Sequence, residues 1–157
     1  MAKKKDKWDG LTKTQKIRFD KIMTAYDFVR NTSNRITKIS NEIVADYSKF
    51  ALTKLPQWWT EKHLREFRSC EKILNSSANE YGRLARILVP EKQSFVILMD
   101  NFLLKRRRKF SGIEKEFDEI EIALKSFKKK LSALKNFLKR ITVEFMELKS
   151  LTKPMLN

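Results

Sequence analysis

From Ile113 to Leu148 the apolar residues recur at alternating spacings of four and three: Ile113, Phe117, Ile120, Leu124, Phe127, Leu131, Leu134, Leu138, Ile141, Phe145 and Leu148. This repeat keeps one stripe on one side of an α-helix, and over about five heptads it specifies a coiled-coil-like seam. About 40 residues at 1.5 Å each predict a helix roughly 60 Å long. Ser111 and Glu114 have the Ser-x-x-Glu spacing of a capping box at its start, after a turn at 110–112, and Lys153-Pro154 stops it. A helix with one apolar stripe must bury it, so the rest of the chain has to supply partner helices.

Composition agrees, since glycine and proline occur only three times each in 157 residues. A chain so poor in turn formers cannot make the many turns of a sandwich, barrel or doubly wound sheet. The expected fold is all-α: an elongated, antiparallel bundle of about four helices with the coiled-coil-like helix at its C-terminal end. Hydrophobic residues at 41%, eleven Phe among them, suffice for one core in a single domain over 12–152. Residues 1–11, with Lys3, Lys4, Lys5 and Lys7, read as a flexible basic tail in which Trp8 has no core to join and orders only on binding. Residues 153–157 read as a short C-terminal tail.

Thr12 and Gln15 form a capping-box pattern before a first helix with apolar positions Phe19, Ile22, Tyr26, Val29, Ile36, Ile43, Tyr47 and Phe50. Ser33 and Ser40 interrupt that seam, and Asn31-Thr32-Ser33-Asn34 favours caps and turns, so one helix with a weak point is expected there. Leu55-Pro56 ends it, and Thr60 caps a second helix over about 61–88 with Leu64, Phe67, Leu74, Ala78, Tyr81, Ala85 and Leu88 on its face. Pro90 is expected to break or kink the chain and open a third helix over about 90–109. Its middle, Phe95 to Met99 and Phe102 to Leu104, is so apolar that it is either the most buried helix or a contact with another chain.

The formal charge is +16, and half of that excess falls within residues 101–140, which hold thirteen Lys and Arg against five Asp and Glu. Two clusters carry it. The first is Lys105, Arg106, Arg107, Arg108 and Lys109; the second is the acid-free run Lys125, Lys128, Lys129, Lys130, Lys135, Lys139 and Arg140. Every basic residue of the second cluster lies off the apolar seam and therefore faces solvent. One-signed charge costs self-repulsion in the fold, which an anionic partner offsets. Arginine adds a planar fork that matches phosphate oxygens.

One histidine and one cysteine leave no material for a zinc site, a Ser-His-Asp triad or a Cys-His pair, so no enzyme, metal or cofactor is expected. Glu114, Asp118 and Glu121 share a helix face that could hold a divalent cation, but acids in a first turn more simply complement the helix dipole. His63 reads as a surface residue and Cys70 as a packing residue. The lone cysteine and the absence of a signal-like apolar run point to the cytoplasm or another reducing intracellular compartment. No apolar run approaches the ~20 residues of a membrane span.

The sequence thus predicts a non-enzymatic nucleic-acid-binding accessory subunit, RNA favoured slightly over DNA, that contacts phosphates through residues 105–140 within a larger nucleoprotein assembly. Trp58 and Trp59 are candidates for base stacking, against the plainer role of closing the bundle end. The alternative is a coiled-coil scaffold or adaptor that binds an acidic protein, or a second copy of itself, through its long helices. Peripheral attachment to an anionic membrane ranks last, for want of an inserting wedge.

Overall fold

The computed structural model describes residues 8–105 and 109–153, which form three helices and no strand among the described residues: α1 (Lys13–Ala51), α2 (Glu61–Leu104) and α3 (Ile113–Thr152). Each start has a local cause. At α1 the capping box closes as expected, Thr12 N–H donating to Gln15 Oε1 at 3.0 Å and Gln15 N–H to Thr12 Oγ1 at 3.2 Å. At α2 the side chain that reaches back is His63, whose Nδ1 accepts from Thr60 N–H at 3.1 Å and lies 2.9 Å from Thr60 Oγ1.

At α3 the expected Ser111–Glu114 box does not form among the described residues. The helix starts at Ile113, so Gly112 is the cap: its carbonyl accepts from Glu116 N–H at 3.4 Å and its φ is 79°. That shift moves Ser111 one position too far back to reach the helix amides. The positive φ is the conformation that glycine alone adopts without strain.

The weak point expected in the first helix does not break it, and the interruption expected at Pro90 is absent. α1 runs unbroken through Asn31–Asn34, with Ser33 buried and Thr37 Oγ1 donating to the Ser33 carbonyl at 3.1 Å. The helices expected over 61–88 and 90–109 are one helix, with Pro90 inside it. Proline removes one amide donor and strands the carbonyl of Arg86. Arg86 and Pro90 are both exposed, whereas Leu88 and Phe95 on either side are buried, so packing holds the helix where local propensity would end it.

The chain divides into two compact units, one made of Met1–Thr32 with Leu88–Leu131 and the other of Ser33–Ile87 with Ser132–Asn157. Every helix gives one segment to each. In the first unit α2 runs antiparallel to both neighbours, pairing Phe95 with Tyr26 and Phe127 (5.7 and 5.9 Å between ring centroids) and Phe102 with Phe19 and Phe117 (6.2 and 5.9 Å). Ile22, Tyr26, Val29, Met99, Ile120 and Leu124 complete its buried layer.

Trp8 belongs to this unit and corrects the expected flexible tail. Its ring lies 4.7 Å from Phe19, 5.2 Å from Phe102 and 6.2 Å from Phe110, and the carbonyl of Trp8 accepts from Leu11 N–H at 3.3 Å. The turn at 110–112 supplies the aromatic wall that the sequence did not offer nearby. Gly10 passes so close to it that a Cβ would stand 2.4 Å from the Phe110 ring. Residues 1–7 lie outside the described residues.

In the second unit Phe67, Leu74, Ile141, Phe145 and Leu148 form the buried cluster, with Ile43, Tyr47, Phe50, Trp59, Cys70 and Tyr81 packed partly against it. All eleven seam residues of α3 are buried across the two units. The apolar stretch of α2 splits instead: Phe95, Met99 and Phe102 are buried, while Ile97 and Leu104 are 59% and 75% exposed.

Candidate nucleic-acid interface

The burial of the α3 seam decides where its lysines go, because each stands off the stripe that packs inward. In the first unit the two flanks of the seam meet different neighbours. Lys128 lies on the α1 side, its Nζ 5.3 Å from the centre of the Phe28 ring. Lys130 lies on the α2 side and donates to Glu91 Oε2 at 2.5 Å, with Ser126 Oγ on the other Glu91 oxygen at 3.2 Å. Between these flanks Lys125 and Lys129 are exposed. In the second unit Lys135, Lys139 and Arg140 are exposed, and the Arg140 guanidinium sits 5.3 Å from the Phe137 ring.

Lys105 ion-pairs with Glu116, Lys109 is exposed, and Arg106, Arg107 and Arg108 lie outside the described residues. Among the described residues, Lys109, Lys125, Lys129, Lys135 and Lys139 have no carboxylate within ion-pairing distance. The basic run therefore sorts into lysines already paired with a carboxylate, Lys105 and Lys130, and lysines with all their donors available. The spacing alone did not make that distinction.

The acids of the α3 start are engaged from α1. Arg18 donates through Nε and Nη2 to the two oxygens of Glu121, at 2.7 and 2.9 Å, also pairs with Asp118, and lies 5.5 Å from the Phe117 ring centre. The guanidinium holds the Glu121 carboxyl below the usual carboxylate range, chiefly by hydrogen bonding, and the two carboxylates push the Arg18 pKa up. Arg18 thus occupies the carboxylate face considered for a cation. Among the described residues no group of three or more His, Cys, Asp or Glu is disposed to hold a metal ion.

The tryptophans part company. Trp59 is half-buried, its ring 5.4 Å from Phe67 and stacked 6.1 Å from His63, so it closes the second unit's core. Trp58 stands edge-on to His63 at 5.1 Å and is 53% exposed. His63, expected at the free surface, is half-buried as cap and spacer between these rings. Cys70 packs against the second unit's core.

One aromatic escaped the sequence reading. Phe28 is 54% exposed and flanks a hollow of about 570 Å³ with Ile17, Lys21 and Lys128; an adjoining hollow of about 360 Å³ adds Lys125. Its signal was its place off the apolar stripe of α1, one residue before the seam residue Val29. No helix of the described residues is long and apolar enough to cross a membrane. Comparison with protein-family models, with curated proteins and with solved structures finds no match for this chain.

Proposed function

We propose that this chain is a non-enzymatic nucleic-acid-binding accessory protein that grips the phosphate backbone of nucleic acid, RNA slightly favoured over DNA, as part of a larger nucleoprotein assembly. The observation that carries this reading is the set of exposed, unpaired lysines on α3, Lys125 and Lys129 in one unit and Lys135 and Lys139 in the other, against a fully buried seam. Their ammonium groups offer three donors each and read no base edge, so affinity is electrostatic and sequence selectivity weak. That half of the +16 charge falls within residues 101–140 supports the same reading.

The test is a salt titration of binding to fluorescent single-stranded RNA, single-stranded DNA and duplex DNA. Neutralising Lys129, Lys135 and Lys139 together to Gln removes three phosphate contacts without touching an internal ion pair. The slope of log K against log salt is expected to flatten by about 2 for a single strand, at roughly 0.7 per contact, with circular dichroism unchanged. Native chain that binds none of the three at ~50 mM salt would discard the reading.

A second reading has its own observation. Ile97 and Leu104 of α2 and Ile122 of α3 are 59%, 75% and 70% exposed, which fits a scaffold that binds a protein partner or a second copy. Light scattering on the same samples tests it through the mass.

A further inference from the structure

Lysines explain attachment to any phosphate backbone; Phe28 carries a finer distinction. Its ring lies on α1, off the buried stripe, and more than half of it meets solvent, an arrangement that costs hydration and contributes little to packing. Lys128 Nζ stands 5.3 Å from the ring centre, and Lys21 and Lys128 line both hollows between α1 and α3. Their volumes, about 570 and 360 Å³, suit a group the size of one nucleotide. The floor is low because Thr24 and Ala25 carry short side chains. Glu121 on the wall is paired with Arg18, and Lys21, Lys125 and Lys128 outnumber the one other acid that lines the hollows, Asp20. Asp20, on the larger hollow, is an acceptor only, so the phosphates belong on the side of the lysines.

We propose that this hollow is a single-strand subsite: one unpaired nucleobase stacks on Phe28, and Lys21, Lys125 and Lys128 hold its flanking phosphates. An aromatic ring set among cations is the arrangement that binds single strands without reading sequence, because every base has a π-face and only an unpaired base can reach the ring. A duplex keeps its bases stacked on each other and gains nothing from Phe28. The proposal rests on the nucleic-acid reading and adds selectivity for single over double strands.

The experiment measures native chain, Phe28→Ala and Phe28→Trp against a single-stranded oligonucleotide, the same strand with one abasic position per site, and the matched duplex. Phe28→Ala is expected to weaken single-strand binding roughly five- to hundred-fold while leaving duplex binding and the salt slope unchanged. Phe28→Trp should restore it. A 2-aminopurine base in the strand should be quenched by native chain and not by Phe28→Ala. Equal single-strand affinity of native chain and Phe28→Ala, with the Lys129, Lys135, Lys139 variant still weakened, would overturn the subsite and leave the phosphate reading standing. No binding of native chain to any of these ligands would overturn both. Parallel loss of single-strand and duplex binding in Phe28→Ala would also overturn it, by assigning the residue to the fold.

Discussion

The two units are built from the same three helices and share one uninterrupted α3 seam, yet they pack differently. In the first, α1 contributes Ile22, Tyr26 and Val29, all buried, against Phe95, Met99 and Phe102 of α2. In the second, α1 buries Ser33 and Ile36, but Ile43, Tyr47 and Phe50 remain half-buried, the first two around a hollow of about 260 Å³. Register explains the contrast. Ser40 stands two heptads after Tyr26 and Ala78 three heptads before Met99, so small side chains occupy equivalent places in the second unit. A seam on one helix decides which face is buried; the side chains opposite decide how completely the space fills.

Truncating the tighter core is expected to produce the largest effect. Phe117, fully buried and in ring contact with Phe102, should cost about 3–5 kcal/mol on substitution by Ala. Tyr47→Ala, which removes a half-buried ring beside an existing hollow, should cost less than half as much. Urea melts give the two losses, and hydrogen exchange locates them in peptides from 13–32 and 113–131 or from 33–51. Equal losses would show that the difference in packing carries no energetic weight.

How much of this the sequence disclosed follows from what each signal depends on. The α3 stripe and the Thr12–Gln15 cap were legible because they depend on spacing within one helix, and all eleven stripe residues are buried. Pro90 misled because its local cost is outweighed by Leu88 and Phe95 packing on either side of it. Trp8 misled for the converse reason, since its partners Phe102 and Phe110 lie far along the chain. In the candidate interface the exposure of Lys125, Lys129, Lys135 and Lys139 was readable from the stripe. The engagement of Lys130 by Glu91 and the approach of Lys128 to Phe28 were not, because both are contacts with other helices.

Filling the hollow should move the second unit toward the first. Ser40→Leu places apolar carbon among Ile43, Tyr47, Leu74 and Phe145, at a position with no hydroxyl hydrogen bond to lose among the described residues. Burial of part of that side chain is expected to raise stability by about 1 kcal/mol. A higher urea midpoint at unchanged slope, with slower exchange in 33–51, is the predicted result. A loss of stability would mean that the hollow is shaped too narrowly for a branched chain and that the serine is fitted to it.

The smallest effect concerns how the flanks of the two units are tied. Arg18 of α1 clamps Glu121 and Asp118 of α3 in the first unit, whereas in the second a neutral donor, Ser77 Oγ of α2, donates to Glu144 of α3 at 3.0 Å. Folding holds the Glu121 carboxyl below its ordinary value, so the clamp contributes fully above the unfolded carboxyl pKa of about 4.3 and fades as pH falls through the lower folded value. Both partners are only half-buried, so solvent screens the pair and the contribution is small, below about 1 kcal/mol. Arg18→Met should therefore be slightly less stable than native chain at pH 7, and the gap should close as pH approaches 3. Exchange in peptides from 13–32 should carry that pH dependence, because Arg18 stays charged throughout and the Glu121 carboxyl is the partner that titrates. A gap that persists unchanged at low pH would assign the stabilisation to the Arg18 stem packed on Phe117, and the ionic contrast between the units would reduce to one of packing alone.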